Sequence, residues 1–240
     1  MTFFRKVFFR KVLFRKVWLA FFAAIVTLLA AVPLHSDTMA PNGPPVAKDL
    51  KQALDRLQRH YRDTNSFTAE FNEEIATVGA AKRQRQGTVS FRKPGRMRWE
   101  FETPEKQTIV SDGETLYSYD PDLNQVVETP LKQALKSSSA TSFLLGIGNI
   151  NRDFKAAFAN SPAPNGLVNL ILDAKKGGYK IEVGLDPKTY NLMTLTLTDQ
   201  LGDVTKIDFS EIHDNVALPD STFAFNAPAG ADIVTAPASP

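Results

Sequence analysis

The sequence predicts a mainly β fold, a single antiparallel meander of about eleven strands with one N-terminal helix and two short helices set into its middle. Three observations predict it. Between Gly87 and Gly113, large apolar and charged side chains alternate through strand after strand. Turn signals recur at short intervals through most of the remaining chain, with no long helical pattern between them. Apolar residues at helical spacing are confined to a run just before the first strand.

The chain opens on Arg5, Lys6, Arg10, Lys11, Arg15 and Lys16, set in a five-residue near-repeat with no acid among them. The near-repeat is either a long cationic leader or the product of a start placed upstream. Trp18 to Val32 follows, an apolar run of 15 residues broken only by Thr27. A run this short behind a basic flank reads as a secretory signal peptide over residues 1–36, cut between about residues 36 and 41. Counted from Val17 to Leu34 it nears the lower length limit for a membrane span, so a retained anchor is the alternative. Residues 37–45 are a linker containing Pro and Gly, 46–228 the domain, and 229–240 a flexible Pro/Ala tail.

Val46, Leu50, Leu54, Leu57 and Tyr61 recur at helical spacing, with Lys51, Asp55, Arg56 and Arg59 on the other side. Phe67, Ala69, Phe71 and Ile75 then alternate with polar residues as a long first strand. Lys82 to Gln86 is a polar strand or hairpin start. Val89, Phe91, Met97, Trp99 and Phe101 face one way in the following hairpin, while Arg96, Arg98, Glu100 and Glu102 face the other. Pro94-Gly95 makes its turn, and Asp112-Gly113 the next. After a strand over Gln125 to Glu128 the pattern changes. Pro130 to Lys136 reads as a short helix with Leu131, Ala134 and Leu135 on one side. Phe143, Leu144, Leu145 and Ile147 form a second, apolar nearly all round, which is either buried core or a lid. Strands resume at Phe154 to Phe158, Leu167 to Leu172, Tyr179 to Leu185, Leu192 to Thr198 and Val204 to Ile212, with a last short one at Phe223 to Phe225.

Composition excludes several classes of function. Six of the 28 basic residues lie in the first 36 residues, so the remainder carries four more acids than bases, and a basic surface for nucleic acid is not expected. With no cysteine there is no disulfide framework, thiolate metal site, catalytic thiol or lipid-modified N-terminal Cys. His35, His60 and His213 are scattered without metal-ligand spacing. No nucleophile elbow, phosphate loop or dinucleotide fingerprint is present. Glu73 and Glu74 point to opposite faces of one strand and cannot act as an acid–base pair. No catalytic residue, cofactor or metal is expected.

The block Lys93-Pro94-Gly95-Arg96-Met97-Arg98-Trp99, then Ile109-Val110-Ser111-Asp112-Gly113, then Leu116-Tyr117-Ser118-Tyr119 resembles the periplasmic lipoprotein carrier family LolA. The likeness runs over most of the chain after residue 46. It implies that the meander curves into an unclosed half-barrel with short lid helices over an apolar cavity that holds acyl chains of lipoproteins. On that reading Leu54, Phe67, Phe71, Val89, Phe91, Met97, Trp99 and Phe101 line the cavity. Leu131, Leu135, Phe143, Leu144, Leu145 and Ile147 form the lid. The family's lid is held by a basic residue, usually Arg, directly before the strand-turn Pro; here that position is Lys93, with Arg92 beside it. The implied protein is a periplasmic monomer. Its partners are lipoproteins, an inner-membrane lipoprotein-releasing ABC transporter (LolCDE-like) and an outer-membrane acceptor (LolB-like). A lipid-sensing or scaffold protein of the same fold that transports nothing is the alternative.

Overall fold

The structure is a computed structural model that describes residues 49–137, 150–159, 166–175 and 179–236. Helix α1 spans Leu50–Asp63 and is followed by β1 (Ser66–Ala76), β2 (Arg83–Arg92), β3 (Arg96–Thr103), β4 (Gln107–Asp112), β5 (Thr115–Asp120) and β6 (Gln125–Pro130). Two short helices come next, α2 (Leu131–Ser137) and α3 (Ile150–Asp153). Then follow β7 (Phe154–Phe158), β8 (Val168–Ala174), β9 (Lys180–Leu185), β10 (Leu192–Thr198), β11 (Val204–Asp214) and β12 (Asp232–Thr235). These strands form one 12-stranded sheet in the order β12-β6-β5-β4-β3-β2-β1-β11-β10-β9-β8-β7. Its two ends, β12 and β7, do not pair with each other, so the sheet is unclosed. The expected signal segment, the linker and the apolar helix at 143–147 lie outside the described residues.

Helix α1 begins where the sequence can cap it. The Asp49 carboxylate accepts from the Lys51 N–H at 3.0 Å, satisfying one of the donors a helix leaves unpaired at its start. Ala53, Leu54 and Leu57 are its buried face. They belong to the larger of two apolar clusters, which runs from α1 through β8–β11 and includes Phe71, Phe101, Leu170, Ile181 and Phe209. The smaller cluster comprises Phe91, Met97, Leu116, Leu131 and Ala134, under α2. Phe67, Trp99 and Ile109 pack against both.

Two glycines make this packing possible. A Cβ on Gly87 would fall 1.8 Å from the Glu100 carbonyl oxygen, at a bulge where the β2–β3 register shifts between Gln86 and Gly87. Gly95 turns β2 into β3 at φ +67°, and a Cβ there would meet Leu131 of α2 at 3.0 Å.

The C-terminal part corrects the sequence reading in two places. Phe223 to Phe225 is no strand: Asp220–Phe223 is a 3₁₀ turn within a strap that crosses the outer face of β2 to β5. Its carbonyls are taken by arginines instead of a neighbouring strand. Arg92 donates to Leu218 O and pairs with Asp220. Arg96 reaches Asp220 at 3.2 Å, and Arg98 reaches Thr222 O at 3.4 Å. Phe223, 1 % exposed, lies under the Arg92 guanidinium, and Phe225 stacks on Tyr117 at 5.2 Å. The second correction concerns the expected loose tail. Asp232 to Thr235 pairs in parallel with Gln125 to Glu128, so the sheet is not purely antiparallel. Asn124 guides the segment in, donating to Gly230 O at 2.9 Å and accepting at its own carbonyl from the Asp232 N–H at 2.8 Å. The β-branched triplet Ile233-Val234-Thr235 supplies the strand preference that the surrounding Ala and Pro conceal.

Candidate functional site

A cavity of about 60 Å³ lies at the seam between the two clusters. One wall is the inner face of β1, β2 and β3, presenting Phe67, Ala69, Val89, Phe91, Met97 and Trp99. The lining continues onto the neighbouring strands with Phe209 and Ile212 of β11 and Leu192 of β10. Polar groups are gathered at the C-terminal end of α1 and the adjoining loops: His60, Tyr61, Thr64, Lys93, Asn191 and Asp214. The wall is stiffened by aromatic contacts. Phe67 stacks on Phe91 at 5.5 Å between ring centroids, and Trp99 meets Phe71 edge-on at 4.8 Å.

Lys93 connects this wall to α1. Its backbone N–H donates to Asn65 O at 2.8 Å, fixing the end of β2 to the segment after the helix. Its ammonium donates to Tyr61 O and, at 3.1 Å, to Arg62 O. These are carbonyls of the last helical turn, which have no partner within the helix and sit at the negative end of its dipole. Burial pushes the Lys93 ammonium below its ordinary pKa, and Asp63 opposes that shift. Burial also lowers His60; Asp214 pulls its pKa up, and Lys93 adds to the lowering. The Tyr61 phenol is pushed up by burial and, less strongly, by the Asp214 carboxylate.

Of the residues expected on the cavity wall, Phe67, Val89, Phe91, Met97 and Trp99 line this space. Leu54, Phe71 and Phe101 do not: they are buried in the larger cluster, where α1 and the Trp99 ring cover them. Leu131 is buried in the smaller cluster under α2. Leu135 lies in the same helix, its side chain outside the described residues, as are Phe143, Leu144, Leu145 and Ile147 altogether. Arg92 is on the opposite face of the sheet from the cavity, engaged by the strap, whereas Lys93 lines the cavity.

Sequence reasoning missed His60, Asn191, Leu192, Phe209, Ile212 and Asp214. Phe209 and Ile212 differ in parity, so strict alternation puts them on opposite faces. The β1–β11 register shifts between Thr68 and Glu70, and Glu211 adopts φ +47°, which brings Ile212 to the same side as Phe209. A non-glycine residue at positive φ has no signature in the alternation pattern.

The sequence profile of the family described as "Outer membrane lipoprotein carrier protein LolA" matches residues 62–226. An outer-membrane lipoprotein carrier protein of Dechloromonas aromatica is 34 % identical over 184 residues, covering 76 % of this chain and 87 % of that one. One from Methylibium petroleiphilum is 31 % identical over 222 residues, covering 91 % and 97 %. Among solved structures, an uncharacterized conserved protein from Thermus thermophilus superposes with a TM-score of 0.52 at 15 % identity, covering 78 % of this chain and 98 % of that one. That likeness bears on the fold, while the sequence matches bear on descent. By its profile match and by relatives above 30 % identity over most of both chains, this chain belongs to the outer-membrane lipoprotein carrier family LolA.

Proposed function

We propose that this chain is a periplasmic carrier that takes the acyl chains of lipoproteins into the seam between its two apolar clusters. The observation that carries the reading is the seam itself, an apolar wall of Phe67, Val89, Phe91, Met97 and Trp99 in a chain of this family. On this reading cargo comes from an inner-membrane ABC transporter (LolCDE-like) and passes to an outer-membrane acceptor (LolB-like).

Volume and energy constrain how such a carrier works. At about 60 Å³ the cavity is smaller than the roughly 150 Å³ that admits a benzene ring, so it holds no acyl chain as it stands. On this reading loading requires the clusters to part beneath α1 and α2. Each methylene taken from water is worth about 0.8 kcal/mol, so complete burial of several chains exceeds what reversible binding tolerates. Contacts that must break on opening offset part of that gain and return it at release. Lys93 is suited to be such a contact, because it joins the cavity wall to the end of α1.

Mass spectrometry of the protein purified from the cell envelope tests the proposal. Co-purifying acylated peptides that disappear when Trp99 or Met97 is made polar support it; a carrier isolated reproducibly without lipid from cells rich in lipoproteins counts against it.

A further inference from the structure

One polar atom in the cavity wall is unaccounted for by the folded chain. Asn191 Oδ1 is buried and has no hydrogen-bond partner among the described residues, although it belongs to a residue lining the cavity beside the polar groups at its α1 end. A buried acceptor left unpaired costs free energy, and folded proteins rarely retain one without a use for it.

The loop that carries Asn191 is built to hold it there. The Asp186 carboxylate accepts from the N–H groups of Lys188 and Thr189, both at 2.8 Å. Asn191 is tied at both backbone groups: its N–H donates to Thr189 Oγ1 at 3.2 Å, and its carbonyl accepts from the Asp186 N–H at 3.0 Å. Between them Tyr190 sits at φ +65°, a conformation that a bulky residue adopts only when its surroundings impose it. Its ring is buried, and the Arg56 guanidinium of α1 lies 5.7 Å from the ring centre. The chain thus accepts backbone strain at residue 190, in the larger cluster, and keeps an unpaired acceptor at residue 191, in the cavity wall.

We propose that Asn191 recognises an amide, accepting a hydrogen bond from the N–H that links an acyl chain to the amino terminus of the cargo. The inference rests on the reading of the seam as an acyl site. The chemistry selects the class of ligand. An ester or a thioether linkage has no N–H to offer, so glycerides bury their chains without satisfying Asn191. An N-acylated peptide places a donor at the point where its chain leaves the cavity. Asn191 then distinguishes an acylated amino terminus from bulk ester lipid.

The test uses the full chain and two probes, a peptide palmitoylated through an amide and its twin in which the linking N–H is replaced by an ester oxygen. Wild-type protein should bind the amide probe about tenfold more tightly, the difference expected when a buried acceptor gains or loses its donor. In Asn191→Leu the two probes should bind within about twofold of each other, with the ester probe held about as well as by wild type. Equal binding of both probes by wild type overturns the inference and leaves the acyl-site reading standing. Failure of wild type to bind either probe overturns that reading, and this inference with it. An amide preference that survives in Asn191→Leu overturns the assignment to Asn191, and Asn191→Ala gives the same reading if the leucine variant does not fold.

Discussion

The Lys93 ammonium stands 3.1 Å from the carbonyl oxygen of Arg62, so the strand that forms the cavity wall holds the end of the helix that covers the larger cluster. A charge-assisted contact of this kind is worth about 1.5 kcal/mol at a partly exposed site, roughly tenfold in an equilibrium. Lys93→Leu should therefore shift the protein toward the open, loaded form by about that factor. Loaded carrier should accumulate, and transfer to an acceptor membrane should slow. Lys93→Arg should restore transfer, since its planar fork reaches the same carbonyls. Unchanged transfer in Lys93→Leu would remove the contact from the mechanism.

Met97 and Val110 separate cavity wall from packed core. Met97 is 8 % exposed and lines the cavity; Val110 is 0 % exposed and does not line it. A carboxylate at position 97 can be wetted by opening the seam, so Met97→Glu should keep its circular dichroism spectrum and lose lipid uptake. Val110→Glu should unfold the domain, because an unpaired charge held away from water costs several kcal/mol. If both variants unfold alike, the wall at Met97 is ordinary core.

Protonation of His60 gives a dependence on pH whose sign is fixed. Burial holds its folded pKa below the ordinary 6.5, so the unfolded chain binds more protons as the pH falls past that value. Stability is therefore present above pH 6.5 and declines as the pH drops from there through the folded pKa. Thermal melts of wild type should show this loss before the carboxylates titrate near pH 4, and His60→Gln should flatten the curve in that window. A wild-type melting temperature that rises on acidification from pH 7 would contradict the assignment.

Gly87 should tolerate no side chain. The obstacle to a Cβ is the Glu100 backbone carbonyl at 1.8 Å, which cannot swing away as a flexible side chain would. Gly87→Ala should cost about 2 kcal/mol or more and lower the melting temperature by several degrees, within the range for overpacking. A variant as stable as wild type would mean that the bulge relaxes freely.

The meander was legible because its residues obey local rules. Val89, Phe91, Met97 and Trp99 alternate cleanly, and Asp112-Gly113 turns with Gly113 at φ +105°. What escaped depends on distant or irregular backbone. Arg96 and Arg98 read as outward charges and Arg92 as the alternative to Lys93, and nothing near them announces that residues 218–224 will lie across them. The bulge at Glu211 and the strained Tyr190 each move a neighbour onto the cavity without changing any apolar pattern. Phe71 and Phe101 share a sheet face with Trp99, yet position along the strand, not parity, decides which of them reaches the cavity.

The parallel pairing of β12 with β6 bears on the order in which the molecule can be completed. Strand β6 acquires β5 as its neighbour almost at once, but its other side waits for Asp232, more than a hundred residues later. Until that segment arrives, a row of backbone donors and acceptors on β6 is open to any other nascent strand. A chain halted before residue 232 would keep that row exposed, and its characteristic fault would be self-association through β6 while the cavity walls were already in place.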